Sequence, residues 1–348
     1  MHKYGCATIL LLMLSIVMSA NLITAGSNND DGLLIVVTFS NLVYDIKPLL
    51  CEGDEIAYIV PPGVDPHEYQ LKLSDVELLK KADLIISTAH APFELEIKKR
   101  SDINATIIEI PFIDNITLLT NPMTGNYNYH MPIYDPRNYI VFINYVAEKL
   151  AQLRPACRTH YLVNAARITG RVMELMEFVK TYGNKTLSAV GDKPFVQYGV
   201  SWLGIDIKYL LIREHEAPVT ARDYENVLSM ISNREVDLVV VSSPPVDQSS
   251  RYLIDLADKY NIPVLYVPVP FSQSSFLEKL ENISNQYVKI RVLSSLNTEQ
   301  QCEEIIVREN TMVFEPRIVL ALTIVVVSVV ISLLYYKTKK RWFEWLRE

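Results

Sequence analysis

Signatures of catalysis are missing from this chain. It holds no G-x-S-x-G elbow, no H-E-x-x-H pair, no G-x-G-x-x-G turn and no phosphate-binding loop, which leaves a hydrolase as the weaker alternative for its function. Cysteine is scarce at four residues, and Cys6 falls in the amino-terminal apolar segment, leaving Cys51, Cys157 and Cys302. Their wide separation excludes a CxxC site, and none has the setting of a nucleophile. Their odd number permits one disulfide and one thiol without choosing the pair. Internal repeats and low-complexity tracts are absent. Positive charge is in deficit, with a net charge of −7. The twelve residues 337–348 carry five basic and two acidic side chains, so residues 1–336 hold −10. That balance argues against nucleic acid and anionic lipid as ligands and is compatible with cations.

What the chain does have begins at its ends. The stretch "MHKYGCATILLLMLSIVMSANLITAG" has a basic start, an apolar run and small residues before a polar turn, and reads as a signal peptide over residues 1–25. At the other end, Ile318 to Tyr336 form an uncharged apolar run just long enough to cross a bilayer as a helix. Lys337, Lys339, Lys340 and Arg341 follow at once, so the positive-inside bias makes residues 337–348 a cytoplasmic tail and puts everything before Arg317 outside. Four N-x-S/T sequons, at Asn104, Asn115, Asn184 and Asn282, fit a glycosylated exterior.

Between these segments, apolar β-rich runs alternate with helical patterns. "LLIVVTF", "EIAYIVP", "LIIST" and "TIIEI" make a first set, and "LSAVG", "IKYLLI", "DLVVVSS" and "VLYVPV" a second. Continuous apolar strands spaced by helices indicate parallel sheets covered on both faces. The expected fold is α/β, with two lobes each built on a mainly parallel sheet flanked by helices. An amino-terminal lobe spans 33–153, a long connecting helix 156–182, a carboxy-terminal lobe 186–290, and a polar stalk 291–317 leads to the transmembrane helix 318–336.

His67, one of only six histidines, sits on a turn between the second strand and an amphipathic helix, in "DPHEYQLKLSDVELLKKADLII". This stretch resembles the PHxYxPxPxDxxxLxxADL signature of the zinc- and manganese-type solute-binding proteins of ABC importers. Pro66, His67, Tyr69, Asp75, Leu79, Ala82 and Asp83 match in register, while Leu71 and Leu73 replace the signature's later prolines. The resemblance covers about residues 33–290 and includes the two-lobe plan with its long connecting helix. The two ends of the chain suggest an archaeal-like, membrane-anchored variant.

The resemblance implies a metal site in the cleft between the lobes. His67 is the implied first ligand, and His130, in "NYHMPIYDPRNYI", the second. Where the family has a third histidine, after the first strand of the second lobe, this chain offers Asp192, which reads equally as a helix N-cap. For the fourth, the nearest carboxylate is Asp247, whose placement suits capping the helix "QSSRYLIDLADKY". His90, at the end of the third strand, faces the same cleft, and either His90 or Glu94 could replace a missing ligand. The histidine-rich loop of many zinc-specific members is absent, "TNPMTGNYNYHMP" standing there instead.

The expectation is therefore a non-enzymatic, exported, monomeric binding protein. It captures a divalent transition metal (zinc, manganese or iron) and presents it to an ABC permease with its ATPase. A small organic or chelated ligand held by the same clamshell is the alternative.

Overall fold

The computed structural model describes residues 32–183, 185–214, 218–244, 247–312, 327–332 and 337. The expected signal peptide lies outside them. So do the tail, apart from Lys337, and the apolar run 318–336, apart from the helical residues 327–332. Among the described residues, no helix is long and apolar enough to cross a membrane.

Two four-stranded sheets organise residues up to 288, and every strand pairing is parallel. The first sheet has the order β2-β1-β3-β4, from β1 (Leu34–Phe39), β2 (Glu55–Val60), β3 (Leu84–Ser87) and β4 (Thr106–Glu109). The second repeats that order as β6-β5-β7-β8, from β5 (Leu187–Gly191), β6 (Ile205–Leu210), β7 (Leu238–Ser243) and β8 (Val264–Pro268). Parallel strands cannot be joined by a tight turn, so each is followed by a crossover that covers a face of the sheet. The inner strands carry almost unbroken apolar runs because both faces are covered. All four residues of β3 are buried, whereas the edge strand β2 is exposed or half-buried over its first four residues. In an order of this kind, the chain leaves β1 and β3 in opposite directions. A crevice opens there at the carboxyl ends of the strands.

The helices are α1 (Val43–Ile46), α2 (Leu73–Lys81), α3 (Pro92–Lys99), α4 (Pro136–Leu153), α5 (Arg158–Lys180), α6 (Val196–Ser201), α7 (Ala221–Ser232), α8 (Gln248–Tyr260) and α9 (Phe276–Met312). Asp135 caps α4 by accepting from the Arg137 N–H at 2.9 Å, with Pro136 at the first helical position. α5 runs from the first lobe to the second. The last helix, α9, includes the positions at which the carboxy-terminal lobe and the stalk were expected to meet. Its span holds no glycine or proline to end it.

Asp54 ties the first sheet to the α4–α5 junction. Its carboxylate accepts from the Leu33 N–H (2.9 Å), the Cys51 N–H (2.9 Å), the Tyr161 hydroxyl (2.7 Å) and Arg154 Nη1 (2.9 Å). The backbones meet so closely here that a Cβ on Gly32 would lie 1.7 Å from the Gly53 carbonyl oxygen. Beside this knot, the Cys51–Cys157 disulfide closes a separation of 106 residues, making the choice of pair that cysteine spacing left open.

A second knot joins the lobes. Asp45, buried on α1, accepts from the Tyr139 hydroxyl and from the Phe276 N–H that opens α9, both at 2.7 Å. Lys279, also buried, donates to the Pro270 carbonyl at 2.8 Å and lies 4.5 Å from the Phe276 ring centre. Burial pushes the Asp45 carboxyl up to about 6 against the opposing pull of Lys279, Tyr139 and the Phe276 N–H. Burial likewise brings the Lys279 ammonium down to about 8, opposed by Asp45 and Glu278. Between those values the pair is charged.

Two outcomes follow from these knots. Replacing both Cys51 and Cys157 by serine should cost about 2–5 kcal/mol in chemical denaturation, in keeping with the long loop the bond closes. Asp45 has a raised folded-state value, so it contributes stability that is fully present below its unfolded value of 3.8 and lost as pH rises through about 6. Relative to Asp45→Asn, the wild-type chain should therefore lose on the order of 2–3 kcal/mol between pH 4 and pH 7. Denaturant titrations of both proteins across that range measure it, and a pH-independent difference would show that Asp45 titrates as an ordinary carboxyl.

Candidate metal centre

Where the carboxyl ends of the two sheets face each other lies a cavity of about 670 Å³. His67, His90 and His130 line it on the first-lobe side, with Phe39 and Tyr129. Lys193, Phe195, Asp247 and Phe271 line it on the second. The His67 and His90 ring centres are 5.1 Å apart, and those of His90 and His130 4.2 Å. A smaller cavity of about 270 Å³, between the end of α5 and Trp202, has no imidazole or carboxylate in its lining.

Each histidine is held by its own turn. His67 follows β2, and its N–H donates to Asp65 Oδ1 at 2.9 Å. Behind it the Tyr69 hydroxyl donates to Asp75 Oδ2 at 2.7 Å, and the same oxygen takes the Lys72 N–H that precedes α2. The Tyr and Asp of the motif thus staple the turn to the helix, and burial with the Asp75 bond pushes the Tyr69 hydroxyl up to about 12.

His90 follows β3 on a turn organised by Glu94. This buried carboxylate accepts from the Ser87 hydroxyl (2.9 Å), the Thr88 N–H and hydroxyl (both 2.7 Å), the His90 N–H (2.9 Å) and the Ala91 N–H (3.0 Å). Glu94 is therefore committed to building the turn. A glutamate two residues after a helix-opening proline is the sequence signal for such a capping role. Ala89 is held left-handed at φ +54°. Met131, next to His130, has the same left-handed φ. Two non-glycine residues in that region cost about 1–3 kcal/mol each, and such strain clusters at ligand sites.

His130 is oriented by Asn128. The Asn128 Oδ1 accepts from the His130 N–H at 3.0 Å and lies 3.0 Å from its ring Nδ1, which sets Nδ1 as the protonated nitrogen and leaves Nε2 as the donor atom. The amide side of Asn128 donates to the Pro194 carbonyl (2.8 Å) and Gln197 Oε1 (3.0 Å) on the second lobe. His130 Nε2 lies 3.5 Å from Glu214 Oε2, on the segment after β6. The Asn121 amide holds that glutamate, donating to the Arg213 carbonyl at 2.8 Å and to Glu214 Oε1 at 3.3 Å. Burial pushes the Glu214 carboxyl up, opposed by the Asn121 bond.

The second-lobe candidates sit differently. Asp192 is fully buried behind the cavity and not in its lining. Its Oδ2 accepts from the Ser242 N–H (2.8 Å), the Ser242 hydroxyl and the Ser250 hydroxyl (both 2.6 Å), so it clamps β5 to β7 and α8. Its own burial pushes the carboxyl up against those hydrogen bonds. Asp247 is the N-cap of α8, accepting from the Ser250 N–H at 2.9 Å, and pairs with Lys193 Nζ at 2.5 Å. Although burial works upward on it, Lys193 and Ser250 hold its carboxyl below the usual range. Among the described residues, no three His, Cys, Asp or Glu side chains already stand at metal-enclosing distances. Sequence reading overlooked Glu214 because nothing in "LLIREHEAP" resembles a ligand motif.

Two parallel-sheet lobes with imidazoles gathered on one wall of the cleft define the class of two-lobed solute-binding proteins. The chain belongs to the family described as zinc-uptake complex component A, periplasmic (ZnuA), whose profile matches residues 35–299. It is 25% identical over 160 residues to the manganese-binding lipoprotein MntA of Halalkalibacterium halodurans, an alignment covering 45% of this chain and 51% of that protein. It thus spans about half the length of that relative. It is 23% identical over 255 residues to the manganese ABC transporter substrate-binding lipoprotein PsaA of Streptococcus pneumoniae, covering 69% and 81% of the two chains. The manganese-bound structure of FpvC from Pseudomonas aeruginosa matches the fold with a TM-score of 0.64 at 16% identity, over 76% of this chain and 99% of that one. These relatives are binding proteins and not enzymes, in keeping with the absence of catalytic motifs.

The Glu94 turn can be tested directly. Glu94→Gln leaves a carboxamide unable to accept from all five donors, so it should cost roughly 2–4 kcal/mol in stability. Denaturant melts of the two proteins check this, and an unchanged midpoint would show that the turn does not depend on the carboxylate.

Proposed function

We propose that this chain is the binding component of an ABC importer for a divalent transition metal, with His67, His90 and His130 as its nitrogen ligands. The observation that carries this reading is the convergence of three imidazoles from three separate turns on one wall of the interlobe cavity. Neutral imidazole suits zinc, iron, nickel and copper, and the family to which the chain belongs supports metal as the cargo. Asp192 and Asp247 act in this reading as supports for the second lobe.

The protein is anchored by the apolar run 318–336, with the binding lobes outside and the basic tail in the cytoplasm. Tethering raises its effective concentration at a permease in the same membrane. Cargo passes from the cleft to that permease, and the associated ATPase drives uptake. A chelated ion is a second reading, favoured by a cavity of about 670 Å³, far larger than a bare ion needs.

Calorimetric titration of the metal-stripped full chain with zinc or manganese, paired with elemental analysis, tests the proposal. One ion per chain is expected, with affinity reduced at least about tenfold in each of His67→Ala, His90→Ala and His130→Ala. Ligand binding should also raise the melting temperature as free metal increases. Wild-type stoichiometry and affinity in all three variants would overturn the ligand assignment.

A further inference from the structure

We infer that Asn128 is a positioning residue that makes His130 move with the second lobe, so that a tilt between the lobes splits the histidine cluster and releases the ion. This rests on the metal-binding reading above and adds to it the means of release.

In chain order His130 belongs to the first lobe, on the stretch between β4 and α4. Residues 119–128 of that stretch form a self-bonded arm. The Asn128 N–H donates to the Leu119 carbonyl and the Asn121 N–H to the Asn126 carbonyl, both at 2.8 Å, and Thr120 pairs antiparallel with Tyr127. At the tip the Gly125 N–H donates to the Asn121 carbonyl at 2.9 Å, with Gly125 in the left-handed region at φ +73°.

The arm lies on the second lobe. Both of its buried asparagines reach across. Asn121 Nδ2 donates to the Arg213 carbonyl at 2.8 Å, and Asn128 Nδ2 donates to the Pro194 carbonyl at 2.8 Å and to Gln197 Oε1 at 3.0 Å. In return, Gln197 Nε2 on α6 donates to the Thr120 carbonyl at 2.8 Å. The buried Tyr198 hydroxyl donates to the Asn128 carbonyl and accepts from the Leu119 N–H at 2.9 Å. Beyond His130 the grip continues, since the Tyr134 hydroxyl donates to the Pro268 carbonyl and its ring stacks on Phe195 at 6.0 Å between centres. Toward the first lobe, Asn138 of α4 donates to the Thr117 and Pro132 carbonyls at 2.8 and 3.0 Å, which ties the stretch down on either side of the arm and His130. Buried amides and hydroxyls cannot exchange their partners for water, so the arm stays with the lobe on which it is docked.

His130 is fastened to this arm through Asn128 Oδ1, which lies 3.0 Å from both its N–H and its ring Nδ1. His67 and His90 are fastened to Asp65 and to the Glu94 turn, which follow strands of the first sheet. The 4.2 Å between the His90 and His130 ring centres is therefore a distance between two bodies. A metal–ligand bond tolerates a change of only about 0.2 Å. Helix shifts at interfaces reach about 1–2 Å. A small tilt thus takes His130 Nε2 out of coordinating range without wide opening of the cleft.

Release is measured on the zinc- or manganese-loaded full chain in detergent, by chasing with excess chelator, for wild type, Gln197→Ala and Asn128→Asp. The metal-free melting temperature of each establishes that it folds. Gln197→Ala loosens the arm from the second lobe and leaves the Asn128–His130 contact intact, and release should quicken at least about tenfold. Asn128→Asp keeps an acceptor for His130 but has no donor for Pro194 and Gln197. A carboxylate partner raises the basicity of a ligating imidazole, so a role confined to His130 predicts slower release, whereas loss of the grip between lobes predicts faster release. Amide hydrogen exchange over residues 119–128 should be equally slow in metal-stripped and loaded wild type, as an arm that stays docked requires. Wild-type release from folded Gln197→Ala, slower release from Asn128→Asp, or exchange that quickens on removal of the metal would each overturn the inference. Should a variant not fold, the exchange comparison decides. Failure of the wild-type chain to bind either ion would instead remove the metal-binding reading on which it rests.

Discussion

The buried carboxylate of Asp45 is the contact on which the two-lobe arrangement turns. It belongs to α1, immediately after β1, yet it receives the first N–H of α9 and the hydroxyl of Tyr139 from α4. A charged group so deep in apolar packing is tolerated only because its hydrogen bonds and the Lys279 ammonium offset its desolvation. The same neighbourhood fixes the segment between β8 and α9. Lys279 holds the Pro270 carbonyl, the Phe271 ring packs on Phe39 at 5.2 Å between centres, and the Tyr134 hydroxyl donates to the Pro268 carbonyl. Val269 to Ser272 form part of the cavity wall. The seam that joins the lobes is therefore continuous with the wall of the cavity.

Contacts across the cleft stiffen it further. The first-lobe segment carrying Asn121 and Asn128 bonds to the second lobe through Arg213, Glu214, Pro194 and Gln197. The Tyr198 hydroxyl donates to the Asn128 carbonyl and accepts from the Leu119 N–H. Buried side-chain amides and hydroxyls with several partners resist sliding, because each would be left unsatisfied in a dry interface. Small tilts, and not wide hinge opening, are the motions such a seam permits. Asn128 also makes the orientation of His130 sensitive to the position of the second lobe.

Much of this was legible in the residues. The strands announce themselves because parallel strands buried on both faces need continuous β-branched runs, and eight such runs alternate with helical periodicity. "PHEY" with Asp75 marked the first turn through its resemblance to the family signature, and the structure adds that the Tyr69 hydroxyl donates to Asp75. Asp247 before "QSSRYLIDLA" read as a helix cap, the task its carboxylate performs. Glu94 and Asp192 were harder. A carboxylate near a strand end reads the same whether it faces a cleft or folds back on local N–H groups, and the register of one turn decides between them.

The sequence by itself determined the class of fold, the alternation of strands and helices and the turns on which His67, His90 and His130 stand. All of these follow from local periodicity and turn chemistry over a few residues. Only the tertiary structure decided that Cys51 pairs with Cys157, that Asp45 meets Phe276 across 231 positions, and that Glu214 comes within 3.5 Å of His130. These are long-range juxtapositions. They depend on how two separately closed sheets are set against each other, and no local pattern of residues encodes that distance.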